Sequence, residues 1–593
     1  MVRARESSLI ALAALVGAIA GLVVAAMSTG VDVLHQLLFR LDPGERLSGL
    51  LRLDPVVALT VPLAGGAVFG IATELIARWR PEREVDPIEA NALHGGRMSL
   101  LGSIIVAAQT VWSSGVGASV GLEAGYTQLG GGIASRLGMA FRLRRADLRI
   151  LVGCGAAGGI AGAFGAPLAG AFYGFELIIG GYSPNSLAPV AAAALIGFLV
   201  AHALAPADIG VVAPERMAVG VHDLVIAATI GLLAAALGIL LMRGVALCET
   251  LFVRLRVRPA LRTTIGGLVV GLLAMVTPQV LSSGHGALRL SGVFTLSLWT
   301  VASILVLKIA ASIVSLGSGF RGGLFFSSLL MGALGGDLLA IALTMAWPSG
   351  HFDPNAYALI GMSALSASVV GGPLTMTFIA LETTGDLWLT TAVLIAVIIS
   401  AQMTREVFGY SFATWRFHLR GLKIHSPEDI GWISEILVGP MMRRDPAVIA
   451  ASLPSEELRR RFPAGSTKQV FVVDDSGKLS GIIDPAEASA PDRAGADKIV
   501  GQLVSGPTPY LLAGDNLRTA LTRFSEAAQE SLPVIDAVDT RRVIGYLTEA
   551  YALRRYASEL ERRRGDRQDD AGIFSPTAAE APSPGADEAE GLR

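Results

Sequence analysis

A chain of 593 residues is too long for one ordinary domain, and 52 % hydrophobic residues against 16 % charged ones exclude an ordinary soluble protein. The formal charge of −2 gives no reason to expect nucleic acid as a partner. Apolar runs fill most of residues 8–408, whereas the chain from about 416 onward is mixed and charged, so a multi-pass integral membrane domain is expected ahead of a soluble one.

Arg3 and Arg5 precede an apolar run from Leu9 to Met27 that is long enough to span and lacks a cleavage site, so it is expected to be the first membrane helix and not a signal peptide. Further apolar segments lie near 55–78, 98–120, 150–180, 186–206, 222–253, 263–283, 293–316, 322–346, 357–381 and 387–408. Several are broken by Gly or Pro or are too short to cross simply. Broken helices are tolerated in a bilayer only where they are buried in protein or line a wet cavity. That construction points to a transporter or channel, with no enzymatic activity expected. Arginine-rich connectors at Arg142-Leu143-Arg144-Arg145 and at Arg254, Arg256 and Arg258 favour the cytoplasm. Cys154 and Cys248 both stand in apolar segments and read as small buried hydrophobes, not a disulfide.

One acid stands out inside the apolar half. Gly121-Leu122-Glu123-Ala124-Gly125 places a carboxylate among glycines that let backbone amides come close, and Tyr126-Thr127-Gln128-Leu129-Gly130-Gly131 continues as a helix start with free N–H groups. Such a place suits an anion, and an acid sharing it can gate by competing with the anion until it is protonated or rotates away. The alternative is a carboxylate that merely caps a helix. Two similar cassettes follow one another. Gly121 to Gly132 leads to Ala166-Pro167-Leu168-Ala169 and Glu176, and Gly317 to Gly336 leads to Gly372-Pro373-Leu374-Thr375 and Glu382. Both acids fall nine residues after their proline, a residue favoured in the first turn of a helix. Repetition of a membrane unit is the usual sign of a transporter with its site between the halves.

These residues resemble the CLC family of chloride channels and proton/chloride antiporters. The segment from Gly121 to Gly125 looks like the family's G-R-E-G-P motif, with Glu123 in the place of the gating glutamate. Leu316-Gly317-Ser318-Gly319-Phe320-Arg321-Gly322-Gly323-Leu324-Phe325 is similar to its second glycine-rich anion motif, G-x-F-x-P, with Ser327 for the proline. The resemblance implies an all-α polytopic membrane domain of two inverted repeats with broken helices, an inorganic anion such as chloride as the transported partner, and a homodimer with one pore per subunit. It implies Gly121, Leu122, Ala124, Gly125, Gly323, Leu324, Phe325 and Tyr410 as anion-binding residues. The family's G-S-G-I-P motif is not matched: Arg83-Glu84-Val85-Asp86-Pro87 stands there, ahead of Asn91-Ala92-Leu93, and acids at the inner mouth repel anions unless paired with Arg83 or turned away. The antiporters' proton-relay glutamate would follow Glu176, where the chain has Leu177, which favours a passive channel over the alternative of a proton-coupled antiporter. The family's tyrosine would fall near Phe412 or Ala413, with Tyr410 the nearest phenol.

Other polar residues keep two readings. Glu176 and Glu382 are expected to tie helices together. Lys308 adds positive potential to the pore or pairs with Asp337, Glu382 or carbonyls. Thr127 and Gln128 face the pore or bond between helices. Glu84, Asp86, Glu123 and Glu176 also supply the hard oxygen ligands of a divalent-cation transporter, which amide-rich motifs disfavour. An intramembrane metalloprotease would need His-Glu-x-x-His, and no histidine here precedes a glutamate.

The soluble half repeats as well. Gln469-Val470-Phe471-Val472-Val473-Asp474 leads to Gly481-Ile482-Ile483-Asp484, and Leu532-Pro533-Val534-Ile535-Asp536 leads to Gly545-Tyr546-Leu547-Thr548. This resembles an α/β tandem pair of CBS domains. The resemblance implies an adenine nucleotide near Asp484 and Thr548, or a purely dimerising module; Tyr551 and Glu487 stand where a ribose-binding Asp would be. The expected organisation is a membrane domain over 1–421, with repeat halves of about 50–206 and 222–421, a linker over 422–435, the CBS pair over 436–561, and a disordered tail over 562–593. The expected setting is the plasma (inner) membrane, lipid around the apolar half and the CBS pair in the cytoplasm.

Overall fold

The computed structural model describes residues 6–80, 84–206, 220–293, 297–350, 352–409, 411, 436–463, 469–485, 498–504, 508–527 and 529–559. Arg83, Tyr410, Phe412, Ala413, Glu487, and the expected linker and tail lie outside them. The chain divides into two units, Met1–Asp429 and Ile430–Arg593.

The first unit is helical. Its first half holds α1 (Glu6–Phe39), α2 (Pro55–Trp79), α3 (Pro87–Leu93), α4 (Leu100–Gly115), α5 (Glu123–Ala140), α6 (Arg145–Phe164), α7 (Pro167–Tyr173) with a π turn at Gly174–Ile179, and α8 (Pro184–Leu204). The second half holds α9 (Val221–Arg254), α10 (Pro259–Val276), α11 (His285–Val293), α12 (Leu298–Ser318), α13 (Phe325–Ala346), α14 (Pro354–Val370), α15 (Pro373–Thr384) and α16 (Leu387–Phe408). The two octets pack alike. The α5–α6, α6–α8 and α1–α8 contacts recur as α13–α14, α14–α16 and α9–α16, while α2 meets α10 and α7 meets α15 across the halves. Among the described residues nine helices are long and apolar enough to cross a bilayer; α4, α14 and α7 with its π turn are shorter.

Local chemistry explains where these helices break. Gly165 (φ +64°) ends α6 and Gly371 (φ +90°) ends α14 in the left-handed conformation, and Pro167 and Pro373 then open the next helices. The apolar runs 150–180 and 357–381 are therefore each two elements. Proline leaves the next two N–H groups of each new helix exposed, and an acid from the opposite half takes them. Glu176 accepts from Leu374 N (2.9 Å), Thr375 N (2.9 Å) and the Thr375 hydroxyl (2.7 Å). Glu382 accepts from Leu168 N (2.8 Å) and Ala169 N (2.9 Å). This exchange is reciprocal, as an inverted repeat requires.

Close helix approach rests on glycine. Gly130 of α5 and Gly155 of α6 each lie against the other's carbonyl, and Gly332 of α13 and Gly361 of α14 do the same in the second half. A Cβ at any of the four collides with backbone, which cannot rotate aside. Gly155→Leu is expected to cost about 3 kcal/mol or more through overpacking, read as a lower melting temperature of the detergent-solubilised protein. An unchanged melt would mean that α5 and α6 are free to separate.

The second unit holds two three-stranded sheets of the same design. In one, β1 (Val448–Ala450) runs parallel to β2 (Val470–Val473), which pairs antiparallel with β3 (Leu479–Ile483); in the other, β4 (Leu511–Leu512), β5 (Ser531–Ile535) and β6 (Val543–Thr548) repeat that order. Even the register shift recurs, at Val472/Val473 and at Val534/Ile535. The hairpin turns match: Asp474 binds Ser476 and Lys478 N, and Asp536 binds Ala537 N, the Thr540 hydroxyl and Arg542 N. Led by the Ser476 and Thr540 hydroxyls, these donors hold both carboxyls below the usual range. Phe471, Leu479 and Ile535 form a core shared by both sheets. The segment that opens the unit does not stay with the first repeat, since Val438 and Met441 pack into the core of the second.

Candidate functional site

The two glycine-rich cassettes meet head to head. Gly121 and Gly323 form an isolated antiparallel bridge, Gly121 N donating to Gly323 O (2.9 Å) and Gly323 N to Gly121 O (3.1 Å). Immediately after this bridge the chain turns into helix on both sides, with Leu122 capping α5 and Leu324 capping α13. Two long helices thus begin at one point deep in the unit, their unpaired N–H groups and positive dipole ends directed to it. That is the physical specification of an anion site, written twice.

Glu123 fills that point. The helix starts at Glu123 itself, three residues earlier than the Tyr126 expected from the sequence, because Leu122 already has α-region angles (φ −88°, ψ −7°). Only 5 % of Glu123 is exposed; its Oε1 accepts from Phe326 N at 2.9 Å, and its buried Oε2 has no hydrogen-bond partner among the described residues. A Cβ on Gly323 would stand 2.8 Å from Oε2, and one on Gly121 would displace the carboxylate outright. The glycines are needed because the carboxylate lies against their backbone. The amide it uses belongs to Phe326, one residue beyond the expected Leu324 and Phe325; a helix start at Phe325 is the sequence signal for it.

A cavity lies on each side of this carboxylate. One, of about 160 Å³, is lined by Ser28, Asp32, His35, Arg46, Ser283 and His285 among others; the second, of about 170 Å³, by Glu84, Asp86, Thr127, Gln128, Tyr173 and Arg321 among others. Among the described residues Glu123 is the one that lines both. Of the other expected residues, Ala124, Gly323, Leu324 and Phe325 line the second cavity and Leu122 the first, while Gly125 is buried against Met27 and Thr110. Tyr126 faces the first cavity, its hydroxyl 2.8 Å from Ser28 Oγ.

Several open readings resolve into geometry. Lys308 is fully buried and donates to the carbonyls of Val280 (3.1 Å) and Ser282 (2.8 Å), not to Asp337 or Glu382, so it braces the 280–282 turn beside the first cavity. Ser282 holds a positive φ of 53°, and its hydroxyl meets Ser114 Oγ at 2.9 Å. His285 stacks on Phe326, with ring centroids 3.3 Å apart, and reaches Ser283 Oγ at 2.5 Å. Thr127 and Gln128 do both things asked of them: they line the second cavity, while Thr127 donates to Glu123 O (3.0 Å) and Gln128 to Val85 O (2.8 Å). Asp86 is turned toward α3, whose Ile88 N it caps at 2.8 Å, and Arg321 joins Glu84 and Asp86 in the cavity wall. Leu177 is buried beside Gly371, and Glu176 is occupied at α15. Of the four acids of the cation reading, Glu84, Asp86 and Glu123 line one cavity, while Glu176 is held at α15 and does not join them. Among the described residues no group of three or more His, Cys, Asp or Glu side chains is placed to hold a metal ion.

In the second unit, Asp484 follows β3 and Thr548 ends β6, at equivalent places in the two repeats. Thr548 Oγ1 accepts from Tyr551 N (3.3 Å) and so caps the helix that follows.

Comparison with known proteins agrees with this architecture. The voltage gated chloride channel family matches residues 65–405, and the CBS domain family residues 433–487. The voltage-gated ClC-type chloride channel ClcB of Escherichia coli is 28 % identical over 403 residues, 67 % of this chain and 95 % of its own length. A slow cyanobacterial Cl−/H+ antiporter superposes with a TM-score of 0.61 at 22 % identity, over 70 % of this chain and 97 % of its own. A eukaryotic CLC transporter does so with a TM-score of 0.58 at 18 % identity, over 91 % and 97 %. Those two likenesses speak for the fold alone. With paired glycine cassettes, reciprocal halves and a duplicated β-α-β-β unit, the chain belongs to the voltage-gated chloride channel (CLC) family and carries a C-terminal CBS pair.

Proposed function

We propose that the first unit conducts an inorganic anion of chloride's class through its two cavities, and that Glu123 is the gate between them. One observation carries this reading: the carboxylate stands between the cavities, at the meeting point of two helix N-termini. A negative side chain there occupies the place an anion would take. When it swings out or is neutralised, the amides of Leu324, Phe325 and Phe326 become available to the anion.

Conduction in this reading is passive, because Leu177 cannot carry a proton and Glu176 is committed to α15. A second reading, proton-coupled exchange, draws on Glu84 and Asp86 sharing the cavity of Glu123. It also draws on the likeness to a protein described as a Cl−/H+ antiporter. For orientation, Arg145 lies against Gly95 and Ala260 against Gly70, which puts both arginine-rich connectors on the Glu84 side. Ser411, the last described residue before the second unit, lies there too, beside Gly371. The positive-inside rule then assigns the Glu84 cavity and the CBS pair to the cytoplasm of a plasma-membrane homodimer.

The deciding experiment is flux from liposomes holding the purified full-length protein, with chloride and proton electrodes read together. Chloride efflux without stoichiometric proton movement is expected. Flux that follows the cation overturns the anion reading, and stoichiometric proton uptake replaces the passive variant with exchange.

A further inference from the structure

Among the described residues the Glu84 cavity is lined by the Arg321 guanidinium and by several neutral side-chain donors, most of them committed to the backbone. Thr110 Oγ1 donates to Val106 O at 2.8 Å, Thr127 Oγ1 to Glu123 O at 3.0 Å, and Gln128 Nε2 to Val85 O at 2.8 Å. Each of these is spent on a carbonyl. Tyr173, the last residue of α7, is 9 % exposed and lines the same cavity as Thr127. A phenol that is not spent on a backbone carbonyl gives up little when it turns to an anion.

The backbone explains why this phenol faces inward. Directly after Tyr173 the helix loosens into the π turn Gly174–Ile179, where Gly180 N reaches back five residues to Phe175 O (2.8 Å). One extra residue per turn separates two jobs that a plain α-helix would crowd together: Tyr173 stays on the cavity, and Glu176 reaches α15. The Tyr173 ring also packs beside Phe325, with centroids 6.2 Å apart, at the start of α13.

We propose that Tyr173 is a side-chain hydrogen-bond donor to the transported anion and determines its selectivity. This rests on the reading of the Glu84 cavity as part of the anion path. The donor thereby comes from the first half of the molecule, on α7, and not from the stretch around Tyr410. A small, strongly hydrated anion loses more hydration on entry than a large, weakly hydrated one, so it depends more on a phenol that replaces lost water.

The test uses the full-length protein in liposomes, with chloride and thiocyanate as probes and initial flux measured against anion concentration. Tyr173→Phe is expected to weaken half-saturation by chloride about tenfold or more, the scale of one hydrogen bond to a charged group, and to change thiocyanate less than about threefold. Thr127→Val removes a neighbouring hydroxyl and leaves the phenol in place, so chloride half-saturation is expected to change less than about threefold. Three results would overturn the proposal: equal losses for both anions in Tyr173→Phe, chloride weakened as far in Thr127→Val as in Tyr173→Phe, or a chloride loss carried by Tyr410→Phe with Tyr173→Phe unchanged. Wild-type protein that carries neither anion sinks the reading of the cavity itself, and the tyrosine with it.

Discussion

Glu123→Ala is expected to join the two cavities and raise anion flux at neutral pH by about tenfold or more, with the pH dependence of the wild-type protein abolished. The argument is local. The carboxylate is the one described group that borders both cavities, and it is held there by the Phe326 amide at 2.9 Å. A hydrogen bond to a charged group contributes about 1.5–3 kcal/mol, so removing it shifts the closed population by roughly one to two orders of magnitude. Glu123→Gln should lose the pH dependence while keeping more of the barrier, since the amide has the same size and still accepts a hydrogen bond. Flux measured from pH 4 to 8 reads both variants. A wild-type profile in Glu123→Gln would reduce Glu123 to a helix cap.

Glu176→Ala is expected to be the most destabilising change at the junction of the halves, with Glu382→Ala next. Glu176 holds three donors of α15 and Glu382 two of α7. Both carboxylates are partly exposed, which keeps the loss below the sum of isolated charged hydrogen bonds; about 2–4 kcal/mol is expected for Glu176→Ala and roughly half that for Glu382→Ala. Thermal melts of the detergent-solubilised protein measure both. The double variant should cost less than the sum, because both caps clamp the same α7–α15 contact. Strict additivity would show the two caps to be independent. The same melts separate stability from conduction, since neither acid lines either of the two cavities beside Glu123.

Much of this molecule was legible in its residues, and the reasons differ by element. Proline and glycine carry their conformational meaning locally, so Pro167, Pro373 and the glycine cassettes announced broken, duplicated helices before any packing was known. The acid nine residues after each proline was equally visible. Its partner was not, because each carboxylate serves the helix of the opposite half, about 200 residues away, with |i−j| of 198 for Glu176 to Leu374 and 214 for Glu382 to Leu168. Phe326 was missed for a smaller reason: the start of α13 had to be known to one residue before the amide facing Glu123 could be named.

Periodicity also misled in places. Hydropathy alone merges the runs 150–180 and 357–381, and only Pro167 and Pro373 mark the break inside each, since hydropathy does not register a turn buried in protein. Tyr173 gave no signal at all. A tyrosine in an apolar run reads as core, and only the π turn after it and the cavity beside it single out its hydroxyl.

Sequence by itself determined the membrane class, the duplicated cassettes, the family likeness and the acid at the centre, because composition, Gly and Pro act through short-range backbone chemistry and solvent preference. Tertiary structure decided which groups meet: the Gly121–Gly323 bridge, the crossed caps of Glu176 and Glu382, Lys308 on two carbonyls, and Glu123 between two cavities. Those contacts join residues far apart along the chain, and nothing in the local backbone preferences of either partner encodes the other.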